Sequence, residues 1–138
     1  MASQLKVDTI TGVTTAGSVV VTGEGNSTTT NLQQGLAKAW NHYDQKGDSG
    51  STQSLDSFNI SSTTDSSAGV SIHNFGNDMN NNYSATAAIS IDRGTANLFT
   101  SGPETGVASG SIKLSCLTAA GSAADGDSLM VITCGDLA

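Results

Sequence analysis

Apolar residues along this chain fall into short runs separated by stretches of Gly, Ser, Asn and Asp, a pattern that predicts many brief β-strands joined by turns. Strands are expected at Ala39 to Tyr43, Ser54 to Ile60, Val70 to Phe75, Tyr83 to Asp92, Gly110 to Leu117 and Leu129 to Cys134. The clearest is the fourth, where Tyr83, Ala85, Ala87, Ile89 and Ile91 alternate with polar or small residues, the period of a half-buried strand. In Val70-Ser71-Ile72-His73-Asn74-Phe75 the apolar spacing changes from two to three, which predicts a β-bulge near His73 or Asn74. The stretches 44–52, 61–68, 77–82, 97–109 and 118–127 read as loops.

The first thirty residues pattern differently. Two β-like runs, Leu5 to Ile10 and Ser18 to Thr22, are separated by Gly and Thr and are too few to close a core. Val19, Val20 and Val21 form a continuous apolar patch that needs cover on both sides. Residues 1–30 therefore read as an extended docking or intertwining arm, the alternative being a pair of edge strands of the main domain, 31–138. Between them Thr30 and Gln33 have the spacing of a capping box, and Leu32, Leu36, Ala39 and Trp40 share one helical face. One short helix is expected over about 31–39. Gly35 inside it costs up to about 1 kcal/mol relative to Ala, so it needs packing partners, either its own domain or copies around an axis. The fold class expected is all-β, a sandwich or jelly-roll-like domain with an extended N-terminal arm and one short helix.

Composition sharpens this. The chain has 138 residues, enough for one domain with or without an arm, and only 12% are charged. Ser, Thr, Gly and Asn take the place of apolar residues and leave a thin core, so contacts with other subunits are the available way to bury more surface. A net charge of -7 with five scattered Lys and Arg excludes nucleic acid as a partner. No apolar run approaches the ~20 residues of a membrane-spanning helix, and Met1-Ala2-Ser3-Gln4 lacks the features of a signal peptide, which points to assembly in a cytoplasm. Cys116 and Cys134 lie far apart in apolar runs without metal spacing; buried free thiols and a disulfide between paired strands both remain open.

Candidate chemistry changes little. His42 and His73 are flanked by Asn, and neither has a Cys or carboxylate at the spacing of a metal site or catalytic triad. Gly23-Glu24-Gly25-Asn26 and the Gly106 to Gly110 stretch lack the Lys-Ser/Thr of a phosphate loop. The loop from Asp44 to Gly50 puts Lys46 where a calcium loop needs an oxygen and has no closing Glu. Asp44, Asp48, Asp56 and Asp65 are indistinguishable from solvated loop charges, so no glycosidase pair is assigned. The expectation is a protein without catalytic residues, metal or cofactor.

Several segments carry a family likeness. Leu5-Lys6-Val7-Asp8-Thr9-Ile10-Thr11-Gly12, Gly23-Glu24-Gly25 with Asn31 to Trp40, Asp56 to Ser62, Asn74-Phe75 followed by Met79 and Tyr83, and the ending Gly135-Asp136-Leu137-Ala138 resemble the small tail-fibre-like structural proteins of marine tailed bacteriophages. The likeness spans most of the chain. Asn41-His42-Tyr43 keeps the family's aromatic after Ala-Trp, whereas Ser71 stands where a bulky residue is usual. The resemblance implies a virion surface protein, a homotrimer, with the N-terminal segment on the particle and the β domain outward. Attachment to other virion proteins then falls to Leu5, Val7, Ile10, Val19, Val20 and Val21, and the subunit interface to Leu32, Leu36 and Trp40. Asp48, Asn77, Asn80, Asn81 and Asn82 are the candidate loops for a host surface receptor. A capsid decoration protein that stabilises the head is the alternative, and a hydrolase of surface sugars a distant third.

Overall fold

The computed structural model describes residues 4–13, 19–23, 28–46, 53–91, 98–101 and 107–137. The chain divides into two units, 1–36 and 37–138. In the first, residues 4–13 form no strand, and β1 (Val20–Thr22) pairs antiparallel with β2 (Thr29–Asn31), Val21 facing Thr30. A single helical turn, α1 (Leu32–Gly35), follows, tied back by the Leu32 amide donating to the Val19 carbonyl at 2.9 Å. The Leu5 to Ile10 run is thus not a strand.

The helix expected over 31–39 is cut to that one turn, because the chain from Ala37 onward is held in a sheet. β3 (Ala37–Asp44) lies between two antiparallel partners, and a two-sided ladder outweighs a marginal helix containing Gly35 and the β-forming Trp40 and Tyr43. After β3 come β4 (Gln53–Phe58), β5 (Ile60–Ser67), β6 (Val70–Phe75), β7 (Ala85–Ile91), β8 (Leu98–Ser101), β9 (Val107–Ala108), β10 (Ser111–Thr118) and β11 (Ser128–Cys134). They form two sheets, ordered β4-β3-β11-β7 and β5-β6-β10-β8 with β9 beside β10, in a sandwich-like arrangement. The protein is all-β.

Two expectations about register need correction. Residues 61–68 read as a loop but most belong to β5, an exposed edge strand whose Ser and Thr supply strand propensity without the apolar alternation that would have marked it. The bulge expected near His73 or Asn74 is not on β6, which pairs regularly with β10 from Val70 to Asn74. It sits across from them on β5, where the register shifts between Ile60 and Ser62. Consequently Ser71, His73 and Phe75 face the interior, while Val70 and Ile72 take the other side.

The chain passes from one sheet to the other at Asn59, whose φ of 56° places it in the left-handed region that Asn tolerates better than most residues. Its side chain fixes the corner: Nδ2 donates to the Lys38 and Asn77 carbonyls at 3.0 Å each, and Oδ1 accepts from the Asn77 amide at 2.6 Å. Asn59→Ala is expected to destabilise the domain by about 2–3 kcal/mol, from backbone strain plus lost hydrogen bonds. Asn59→Gly should relieve only the backbone part, and urea midpoints of the two variants separate the contributions.

Between the sheets lie Ala39, Tyr43, Phe75, Met79, Ile112, Leu114, Cys116, Leu129 and Val131, all buried. This is a small apolar core. It is supplemented by buried Asn41, Gln45, Ser71, His73 and Thr133. Gln45 closes one end: its amide donates to the Gly126 carbonyl at 3.2 Å and its Oε1 accepts from the Gly126 amide at 3.1 Å, clamping the β10–β11 connection onto the end of β3.

Candidate functional site

β3 separates two unlike environments, a polar one inside and an apolar one outside. Inside, Asn41 and Tyr43 of β3 meet Ser71 and His73 of β6, all essentially inaccessible to solvent. Ser54 Oγ donates to Asn41 Oδ1 at 2.6 Å, and with the amide placed this way round Nδ2 faces Thr63 Oγ1 at 2.8 Å and His73 Nδ1 at 3.0 Å. An amide nitrogen only donates. His73 Nδ1 is therefore the unprotonated acceptor, Nε2 carries the hydrogen and donates to Ser71 Oγ at 3.1 Å, and Ser71 donates onward to Tyr43 Oη at 3.2 Å. The Tyr43 and His73 rings also meet edge to face, with centroids 4.3 Å apart.

Burial in this chain of neutral partners pushes the His73 imidazole down to about 4, and burial likewise raises the Tyr43 hydroxyl above its ordinary range, against the pull of the Ser71 hydrogen bond. Ser71 beside a neutral histidine has the outline of a nucleophile and its base. Both side chains are sealed, however, and the Ser71 hydrogen is directed at Tyr43, so no substrate carbonyl can reach the hydroxyl. The network joins the two sheets through β3, β4, β5 and β6. Its role is to fix which polar groups face each other in a core with few apolar contacts.

Outside, the sheet β4-β3-β11-β7 presents side chains in rows set by its register. One row runs Phe58, Trp40, Ile132, Ala87, and the next Asp56, His42, Met130, Ile89. Cys134 and Ala85 begin a third. Phe58, Ile89, Met130 and Ile132 are each 43–58% exposed. Leu55, the extra residue where the β3–β4 register shifts, adds a further exposed apolar group at the edge. A groove of about 420 Å³ opens on this face, lined by Trp40, His42, Ala87, Ile89, Met130 and Ile132. His42 is held by Ser128 Oγ, 2.9 Å from Nε2. Contiguous exposed apolar surface of this kind marks an interaction site.

The strand with the clearest alternation, β7, turns its apolar side outward: Ala85, Ala87 and Ile89 are exposed while Thr86, Ala88 and Ser90 face in. Periodicity identified the strand without fixing its facing. The signal that marks this face is instead Leu129-Met130-Val131-Ile132, a run apolar on both sides, of which Leu129 and Val131 are buried and Met130 and Ile132 are left on the exposed face.

No family model, curated protein or solved structure matches this chain.

The structure does not bring Leu32, Leu36 and Trp40 onto one helical face. Leu32 lies in the turn α1, Leu36 beyond it is exposed, and Trp40 belongs to β3 in the other unit. Leu5, Val7 and Ile10 are exposed on a segment without strand structure, and Val20 and Val21 are half exposed on the hairpin behind a partly buried Val19. Asn77, Asn80, Asn81 and Asn82 all lie exposed on the β6–β7 connection beside Tyr83, which is 86% exposed. That loop is pinned at its middle by buried Met79, whose amide donates to the Ser109 carbonyl at 2.8 Å, and by the Asn80 amide on the Asp136 carbonyl at 2.7 Å. Asp48 lies outside the described residues. Among the described residues no group of His, Cys, Asp and Glu is arranged to hold a metal ion.

Proposed function

We propose that this chain is a non-enzymatic structural subunit of a virion surface, part of a tail-fibre-like or surface-fibre appendage assembled in the host cytoplasm. Residues 1–30 attach it to other virion proteins and the sandwich is displayed outward. The observation that carries the structural part is apolar exposure outside the core. Leu5, Val7, Ile10 and Val13 on one unit are 52–92% exposed, and the outer sheet face adds Phe58, Ile89, Met130 and Ile132. Side chains of this size gain roughly 1.5–3 kcal/mol each when fully covered, which makes an assembly their natural setting. The segment resemblance supplies the particle. In this reading the exposed Asn77 to Tyr83 loop, rigidly anchored by Met79, is the surface offered to a host receptor.

Gold-labelled antibody against the folded chain is expected to decorate the surface appendages of purified particles. Label confined to the head would favour a capsid cement protein. Particles without label, or release of reducing sugar from host envelope by the purified chain, would refute the proposal.

A further inference from the structure

The outer face of the sheet β4-β3-β11-β7 needs an occupant, and we infer that the occupant is the same face of further copies of this chain, arranged about an axis running parallel to the strands. This inference deepens the assembly reading above. Three features of the face select the chain itself over a foreign partner.

The first is charge. The protein carries a net charge of -7, so copies repel one another wherever acidic surfaces meet. On this face the carboxylates are Asp56, at the β4 edge, and Asp44, at the end of β3 opposite Gln53, both outside the apolar centre formed by Trp40, Ile132, Ala87, Met130 and Ile89. Contact through the apolar centre of this face keeps both carboxylates at its margin, where like-charge repulsion is small. A cationic partner would find little here to recognise.

The second is shape. The row Phe58-Trp40-Ile132-Ala87 is bulky at the β4 edge and small at the β7 edge, and the groove lies on the small side, over Ala87 between Trp40 and Ile89. Any closed symmetry with its axis along the strands sets the β4 edge of one copy against the β7 edge of the next, at the same row. Two copies then pack sheet on sheet at about 10 Å, and three enclose a triangular core. In either case Phe58 of one copy is placed over the hollow at Ala87 of its neighbour. The face is complementary to itself.

The third is area. Four strands ~4.8 Å apart, with about six residues of ~3.3 Å along each, give a plan area of roughly 400 Å² before side-chain relief is counted. That is about half of the ~800 Å² that each partner contributes to a standard interface. With Leu55 and Phe58 extending the rim, the face suits a specific but reversible self-association. Screening the net charge strengthens such association, so it should tighten as salt is raised.

Sedimentation equilibrium of the full chain is expected to give a concentration-dependent dimer or trimer that tightens with added salt. Met130→Glu, which would bury an unpaired charge at the centre of the face, should weaken association by at least ~30-fold. Ala87→Phe, which fills the hollow at an exposed position, should weaken it as well and guards against a folding defect in the first variant. Far-ultraviolet circular dichroism confirms that each variant keeps its strands. A bismaleimide should link copies through Cys134, at the end of the face, and leave the buried Cys116 unreacted. A wild-type chain that remains monomeric at every concentration and salt, or an oligomer that both variants leave intact, overturns the inference. Neither result would move the antibody label on particles, so failure here is distinguishable from failure of the virion reading.

Discussion

Gly69→Ala is expected to lower the stability of the sandwich by at least about 4 kcal/mol, placing it among the most damaging single methyl additions available in this fold. Gly69 sits in the turn from β5 to β6 with φ 71°, already unfavourable for any residue with a Cβ. Strain of that kind costs only about 1–2 kcal/mol. The larger cost is steric. A Cβ at this position would stand 2.5 Å from the Cys116 carbonyl oxygen and 2.7 Å from the Ala124 amide nitrogen, both backbone atoms with no rotamer to move away. Those atoms are also bonded to each other, the Ala124 amide donating to the Cys116 carbonyl at 3.2 Å, and the Cys116 amide donates to the Gly69 carbonyl at 2.6 Å. The Gly69 amide is in turn held by the Asp125 carboxylate. Displacing the turn therefore strains three hydrogen bonds that join the β5–β6 turn, β10 and the connection to β11. Gly121 provides the control. It has a similar φ of 80° but nothing within 4 Å of its Cβ position, so Gly121→Ala should cost only about 1 kcal/mol. Urea denaturation of the two variants measures the difference directly. A Gly69→Ala protein within about 1 kcal/mol of wild type would mean that the junction relaxes freely.

The junction at Gly69 also marks the limit of what the sequence made legible. Strands with apolar alternation or apolar runs were readable: β3, β6, β10 and β11 lie close to their expected positions, each paired on both sides within its sheet. β5 was not, since an exposed edge strand made of Ser and Thr carries the composition of a loop. The helix expected over 31–39 rested on a 3.6-residue spacing of Leu32, Leu36 and Trp40. That spacing is too short to compete with the ladders on both sides of β3. The corner at Asn59 and the tight approach at Gly69 depend on partners 18 to 55 residues away, such as Asn77 and Ala124, which local pattern does not report. For the outer sheet face the residues were in view, but their facing was not. Period two divides β7 into Ala85, Ala87 and Ile89 against Thr86, Ala88 and Ser90, and nothing local says which set turns inward. Only the pairing with β11 decides it, and on the inner side Thr86 Oγ1 lies 3.2 Å from Thr133 Oγ1 of that strand.

The buried network of Asn41, His73, Ser71 and Tyr43 is expected to make the protein acid-sensitive through His73. In the folded state His73 is neutral, with burial holding its imidazole down to about 4, whereas in the unfolded chain it returns to about 6.5. Between those values the unfolded state binds a proton that the native state refuses, so the contribution of His73 is fully present above pH 6.5 and is lost as pH falls towards 4. Integrated over the window the loss is about 3 kcal/mol, a large share of the stability of a thin-cored domain. The hydrogen-bond geometry works in the same direction as burial. A proton on Nδ1 would point at the Asn41 Nδ2 hydrogens 3.0 Å away, so a protonated His73 requires Asn41 to turn its amide over and the Ser54 and Thr63 hydroxyls, at 2.6 Å and 2.8 Å, to reverse their hydrogen bonds. Urea midpoints should therefore fall between pH 7.5 and about pH 5.5, above the range where most carboxylates titrate. His73→Gln has no proton to gain; it should be less stable at neutral pH through imperfect packing, yet show a much flatter pH dependence across the same window. Equal slopes for the two proteins would place the acid sensitivity elsewhere and would mean that His73 is protonated as readily in the folded chain as in the unfolded one.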